Sequence, residues 1–320
     1  MSGLFLYFCF MNIADLHSLF LEFPTVCTDT RKITKDSIFF ALKGDNFNGN
    51  KFALDALQRG AKYAIIDEEE FAESEACILV DNVLETLQQL ANHHRNYCSA
   101  KVIALTGSNG KTTTKELINA VLSKKYKTTA TKGNLNNHIG VPLTLLSMTP
   151  KTEIGIVEMG ANHLKEIEFL SNIAQPDYGY ITNFGKAHLE GFGSIEGVIK
   201  GKSELYYHLR TNHKTAFINA NDKLQLEKSK DINQITFGDR GADIPISFLE
   251  ANPFVHVKFN HTIIKSQLIG AYNYNNIAVA LAMGNYFKVS KEDSIKAIIN
   301  KVEMGLKVRN KEEIKNIIDF

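Results

Sequence analysis

Leu105-Thr-Gly-Ser-Asn-Gly-Lys-Thr-Thr-Thr114 is the stretch on which the fold turns. The apolar run Val102-Ile-Ala-Leu105 before it reads as a buried strand. After it, Lys115-Glu-Leu-Ile-Asn-Ala-Val-Leu122 has the apolar spacing of a helix. A strand, a glycine turn and a helix with Lys-Thr at the junction is the layout of a phosphate-binding loop. Its backbone N–H groups and the helix N-terminus face an anion. In that layout Lys111 reaches the outer phosphates and the Thr112 hydroxyl suits a magnesium ion. Thr106, Gly107, Ser108, Asn109, Gly110 and Thr113 supply the remaining candidate contacts. Leu105 stands where the commoner pattern has its first glycine, so this is the shortened form Thr-Gly-x-x-Gly-Lys-Thr.

Working outward, strand patterns recur at Ile154–Glu158, Tyr178–Thr182, Thr215–Ile218 and Gln234–Phe237, with helical patterns between most of them. That alternation predicts a mostly parallel sheet covered on both faces. Phe254–Phe259 and Thr262–Leu268 flank Asn260-His261 as an antiparallel hairpin, and a helix follows over Asn275–Phe287. Upstream, the runs Ile38–Leu42, Tyr63–Ile66 and Cys77–Val80 alternate with helical patterns at Phe52–Arg59 and Val83–Tyr97. The expected fold class is therefore α/β: a small N-terminal domain over residues 11–98, then a P-loop domain over 99–303. Polar Asn92–Ser99 marks the boundary, and residues 304–320 read as a charged tail.

Composition narrows the function by exclusion. A chain of 320 residues, 44% hydrophobic and 22% charged, is ordinary for a globular protein of about two domains. Its formal net charge of +1 offers no global field for nucleic acid or an anionic membrane. No apolar run reaches the ~20 residues of a bilayer span, so no membrane insertion is expected. Cys9, Cys27, Cys77 and Cys98 form no C-x-x-C pair, which favours free thiols and a cytoplasmic location. Residues 1–10 are apolar but lack a basic start and a cleavage site, so they read as an extension ahead of a natural start at Met11.

Further candidates follow from the sheet. Ligands in open parallel sheets sit beyond the carboxyl ends of strands. Glu158 ends a strand there and could hold magnesium, although a lone strand-end carboxylate is often structural. Asn183–Glu190 opens onto the same edge and brings His188, which alone would read as a surface or core histidine. Lys202, in Gly201-Lys-Ser-Glu-Leu205, is either a solvated helix lysine or a functional one. An unmodified ammonium beside magnesium would repel it, so a role requires a second phosphate contact or an anionic carbamate. Asn273 and Asn276, at i and i+3, suit an adenine edge or a helix cap. The glycine-bounded loop Lys132–Pro142, with Asn136 and Asn137, is turn chemistry or a polyphosphate lining. In the first domain, Thr28-Asp-Thr-Arg31 and the Lys43–Asn50 loop, with Phe47, are turns or a face for a base or sugar.

Thr28–Arg31, Thr106–Lys115, Gly133–Asn137, Glu158–Asn162, His188–Glu190, Lys202–Leu205 and Asn273–Asn276 together resemble the Mur ligase family. The resemblance spans roughly Met11 to Phe287. It is closest to the member that joins D-alanyl-D-alanine to UDP-N-acetylmuramoyl tripeptide at the expense of ATP, through an acyl phosphate. It implies that Lys111 stabilises the transferring phosphoryl group and that Thr112 with Glu158 holds one Mg2+. Glu158, His188 and Lys202 as its carbamate would hold a second, with His188 ranked below Glu158 because imidazole is unusual for so hard a cation. Asn273, Asn276 and Asp222 fall to the ATP side, with Asn137. Asn136, Thr28, Asp29, Thr30, Arg31 and Phe47 fall to the UDP-linked substrate. A monomer is expected. Two features depart from the family: Gly201 replaces the usual alanine before Lys202, and the family's third domain has no counterpart in residues 304–320. A truncated ligase is the expectation, with a non-catalytic remnant that binds ATP and the UDP-muramoyl peptide as the alternative.

Overall fold

The protein's structure is a computed structural model that describes residues 11–239 and 241–306. The apolar start at residues 1–10 and residues 307–320 of the tail lie outside them. The chain forms two compact units, one up to Ser99 together with His138–Pro150, the other Ala100–Asn137 with the chain from Lys151 onward.

The first unit carries a four-stranded parallel sheet ordered Val26–Cys27, Ile38–Phe40, Tyr63–Ile66, Cys77–Leu79. Ile38, Phe39, Phe40, Ala64, Ile65 and Ile66 are buried, so these short strands are core on both faces. The polar stretch Asn92–Ser99 ends where the first unit gives way to the second, between Ser99 and Ala100. It forms the last turns of the helix Val83–Cys98, with His94, Arg95 and Cys98 buried. Against that helix packs Gly140–Leu146, which by sequence order falls in the expected second domain, 99–303. His94 bonds the Met148 carbonyl at 2.9 Å and Gln88 bonds the His138 carbonyl at 3.0 Å, partners that the returning segment supplies.

The second unit is α/β with a nine-stranded sheet. From the hairpin edge its order is Thr262–Ile269, Phe254–Phe259, Ile244–Ala251, Asn233–Gly238, Thr215–Asn219, Tyr178–Ile181, Lys101–Thr106, Ile154–Glu158, Thr128–Ala130. The last seven in that order are parallel, and the hairpin strands join antiparallel. Val102 to Thr106 are all buried, as a central strand requires. Lys111–Leu122 packs beside Asn273–Tyr286, whose residues from Ile277 to Met283 are buried without interruption. Such an all-apolar stretch marks a helix enclosed by the fold rather than lying on it. Two strands of this sheet have no counterpart in the sequence pattern. Thr128–Ala130 is a three-residue edge, and Ile244–Ala251 mixes polar and apolar residues with only part of it buried.

Candidate functional site

The loop's shape is set by two glycines. Gly107 has φ +141°, and a Cβ there would lie 2.0 Å from Thr182 Oγ1. Gly110 has φ +79° and immediately precedes the helix Lys111–Leu122. Both positions exclude a side chain, so the backbone can close tightly. The next strand braces this turn. Thr182 Oγ1 donates to the Asn109 carbonyl (2.6 Å), Asn183 bonds both N–H and C=O of Asn109, and Ser108 Oγ donates to the Gly185 carbonyl (2.7 Å). Lys111 Nζ lies across the loop, donating to the carbonyls of Gly107 (2.7 Å) and Ser108 (3.2 Å). Burial lowers its pKa, partly offset by Glu158.

Glu158 is 1% exposed, at the carboxyl end of the adjacent strand. Its Oε1 accepts from Thr112 Oγ1 (3.2 Å) and from the Asn136 amide (2.9 Å). Its Oε2 has no hydrogen-bond partner and faces the buried Lys115 ammonium at 3.8 Å. A buried carboxylate with one unsatisfied oxygen beside a hydroxyl is an oxygen donor set that fits Mg2+. Gly160 lets Asn136 approach, since a Cβ there would meet Asn136 Oδ1 at 2.8 Å. Asn137 is exposed on the same loop.

Lys202 is fully buried in the helix Ile195–Thr211. Its Nζ donates to the Ala161 carbonyl (3.1 Å) and lies 5.1 Å from the Phe192 ring centre. Burial, with the like charge of Lys111, brings its pKa down to about 8 against the pull of Glu166 and Glu204. The same Phe192 ring explains Gly201: a Cβ there would lie 2.4 Å from Phe192 Cε1. His188 is exposed with φ +54°, ahead of the short helix Leu189–Phe192, and no hydrogen bond or ion pair ties it to Glu158 or Lys202.

Asn273 and Asn276 do share a face, but they are buried there rather than open. Thr114 Oγ1 donates to Asn276 Oδ1 (2.8 Å), Asn276 Nδ2 to Asn273 Oδ1 (2.8 Å), and Asn273 Nδ2 to the Ile269 carbonyl (2.8 Å). This chain of amides ties the loop helix to the helix Asn273–Tyr286. Asp222 caps the helix Lys223–Lys228 through the N–H groups of Leu224 and Gln225. In the first unit, Asp29 caps Thr30–Lys32, and Arg31 grips it with two N–H groups at 2.9 Å. That grip holds the Asp29 carboxyl down to about 2. Thr28 and Thr30 are half-buried beside it. Phe47 is exposed and stacks on Phe52 at 5.4 Å. Lys115 and Glu204, to which the sequence pattern assigns no role, are both buried.

Lys111, Thr112 and the buried strand-end Glu158 thus lie together about one braced glycine loop. Residues 105–284 match the Mur ligase middle domain, and residues 22–95 match the Mur ligase family catalytic domain. The chain belongs to the Mur ligase family. Among its relatives, the UDP-N-acetylmuramoyl-tripeptide–D-alanyl-D-alanine ligase of Bacillus subtilis is 37% identical over 289 residues, covering 88% of this chain and 62% of that protein. The ligase of the same name from Escherichia coli is 40% identical over 198 residues, 62% of this chain and 44% of its own length. Among solved structures, MurF from Acinetobacter baumannii superposes with TM-score 0.77 at 32% identity, over 86% of this chain and 62% of that one. MurF ligase from Thermotoga maritima in complex with ADP gives TM-score 0.73 at 28% identity, over 86% and 65%. This Mur ligase chain thus spans less than two thirds of the length of these relatives. No helix among the described residues is long and apolar enough to cross a membrane.

Proposed function

We propose that this chain serves an ATP-dependent ligase that joins D-alanyl-D-alanine to UDP-N-acetylmuramoyl tripeptide. The observation that carries the proposal is the convergence of Lys111, Thr112, Asn136 and Glu158 on one braced phosphate loop. The loop N–H groups and helix N-terminus receive the ATP phosphates, and Lys111 turns from the carbonyls it now bonds to the phosphoryl group being transferred. The terminal carboxylate of the UDP-linked peptide attacks the γ-phosphorus, giving an acyl phosphate and ADP. The amine of D-alanyl-D-alanine then attacks the acyl carbon, and phosphate leaves. Both steps gather negative charge, so positioning and fixed cations supply most of the acceleration. Thr112 and Glu158 would hold Mg2+, which neutralises phosphate charge when bound.

Lys202 supports the carbamate reading, because a buried amine with pKa about 8 is partly neutral near pH 7, the form that adds CO2. A carbamate would turn a cation into a metal ligand. His188, exposed and unpartnered among the described residues, is the least supported member of the second Mg2+ set. Asn273 and Asn276 act on the nucleotide through the loop helix that they hold, and Asp222 through the helix it caps. The first unit takes the uridine end at Thr28–Arg31 and Phe47. A cytoplasmic monomer belongs to the same proposal.

The test combines the chain with ATP, Mg2+, bicarbonate, UDP-N-acetylmuramoyl tripeptide and D-alanyl-D-alanine, and follows phosphate and the pentapeptide by mass spectrometry. Turnover that falls on the order of a hundredfold or more in Lys111→Ala supports it. Binding of ATP and the UDP-linked peptide without product marks the non-catalytic remnant. Absence of both binding and turnover overturns the proposal.

A further inference from the structure

Glu204 lies two residues beyond Lys202 and has no part in the phosphate site. It is 8% exposed, and its carboxylate is fully engaged. Oε1 accepts the Lys165 N–H at 2.7 Å and Oε2 the Glu168 N–H at 3.0 Å. Both donors belong to the start of the helix Glu166–Ala174, where N–H groups lack partners within the helix. A helix start usually carries its own cap from Ser, Thr, Asp or Asn. Here the cap position is Lys165, left-handed at φ +73° and without a side-chain cap bond. The cap comes instead from another helix. The other exposed donors of this turn, Asn162 and His163 N–H, are taken by Glu166 Oε2.

The same turn accepts Lys202. Residues two apart leave a helix roughly 200° around its axis from one another, yet Lys202 and Glu204 both reach the 161–168 turn. Lys202 takes the Ala161 carbonyl and Glu204 takes the Lys165 and Glu168 N–H groups. The turn itself continues from Glu158 at the strand end. One helix therefore grips, at two points, the segment that runs directly from the carboxylate of the phosphate site.

We infer that Glu204 is a positioning residue: by clamping the 161–168 turn to the helix Ile195–Thr211, it holds Lys202 in its buried position against Ala161. The inference rests on the ligase reading only for its catalytic consequence. The position of Lys202 can be read without turnover.

The test uses Glu204→Gln and the double variant Lys165→Gly/Glu204→Gln. Glutamine keeps one acceptor and turns an NH2 group against a backbone N–H, breaking half the clamp. Glycine at 165 removes the left-handed strain and returns stability without restoring the clamp. Native-state acylation with a small amine reagent, read by mass spectrometry at the Lys202 peptide, reports where Lys202 is. Expected at about pH 9.5, where the Lys202 amine is largely neutral with or without the Glu204 charge, is labelling about tenfold faster or more than wild type in both variants, as local opening of the turn exposes the amine. If Glu204→Gln alone does not fold, the double variant carries the measurement. Labelling at the wild-type rate in the stability-restored double variant overturns the inference and leaves Glu204 a helix cap only. In the ligation assay the double variant should lose kcat with ATP affinity kept. Release of Lys202 in a chain whose wild type never turns over would sink the ligase reading and leave the positioning of Lys202 standing.

Discussion

Replacing Lys202 with methionine should change the stability of the protein in a pH-dependent way. Lys202 is fully buried, so little solvent screening discounts its charge. Burial first, then the like charge of Lys111, brings its pKa from 10.5 to about 8. Well above pH 10.5 the amine is neutral in both folded and unfolded chains and carries no penalty. As pH falls from 10.5 to 8 the unfolded chain takes up the proton while the folded one resists, so folded stability drops; below 8 the penalty is constant. The shift of about 2.5 units corresponds to ~3 kcal/mol, most of it developed between about pH 10 and 7.5. Methionine keeps the apolar stem and removes the penalty, but leaves the Ala161 carbonyl without its donor, a loss of roughly 1–2 kcal/mol at all pH values.

The net expectation is a Lys202→Met chain that gains about 2 kcal/mol on wild type as pH falls from about 10 to 7.5, while losing turnover. Urea unfolding of both chains at several pH values, in bicarbonate-free buffer and followed by circular dichroism, measures the difference. Comparing the two cancels the tyrosines and other lysines that titrate in the same range. A stability difference that stays flat with pH, or that moves against methionine as pH falls, would refute the account of Lys202 as a destabilising buried cation.

Gly107→Ala should cost roughly 2–5 kcal/mol, from a left-handed backbone and a Cβ placed against Thr182, and should abolish nucleotide binding. Wild-type affinity for ATP by calorimetry in this variant would show that the loop does not close as described. In the first unit, His94 Nε2 donates to the Met148 carbonyl, so its Nδ1 accepts from His17 Nε2 at 3.0 Å and both rings are neutral. Burial, with His93 and His94 nearby, lowers the His17 pKa from 6.5 to about 4. Stability from His17 is therefore full above pH 6.5 and falls by about 3 kcal/mol as pH drops to about 4. His17→Phe should blunt that fall in urea titrations, and an unchanged acid profile would contradict the assignment.

The parts legible in the sequence are those whose physics is local. Val102–Leu105, the two glycines and the spacing of Leu117, Ile118, Val121 and Leu122 encode strand, turn and helix between residues 102 and 122, and the loop could be read from them alone. Glu158 was legible for a related reason: a strand end in a parallel sheet faces the ligand edge wherever the strand falls in the order. What stayed hidden depends on partners far along the chain. Asn276 looks like an open amide until Thr114, 162 residues away, is placed against it. The run His93-His94-Arg95 precedes the boundary at Ser99, but nothing in it says that Met148 returns to accept from His94.

Glu204 shows why such partners leave no local mark. Its function is to satisfy two N–H groups that a nearer residue would ordinarily satisfy, so the clue in the sequence is an omission, a helix start with lysine at the cap position. An omission is visible only once the helix boundary is known to within a residue, and sequence patterns do not place boundaries that finely. The same holds for Lys115. A lysine four residues beyond Lys111 lies on the same helix face, yet nothing in the spacing says whether that face meets water or Glu158. The buried 3.8 Å approach decides it, and with it the local charge balance: Glu158 faces a fixed ammonium on Oε2 while Thr112 and Asn136 hold Oε1. The proposed phosphate site therefore rests on a short readable motif whose charges are set by residues the motif does not announce.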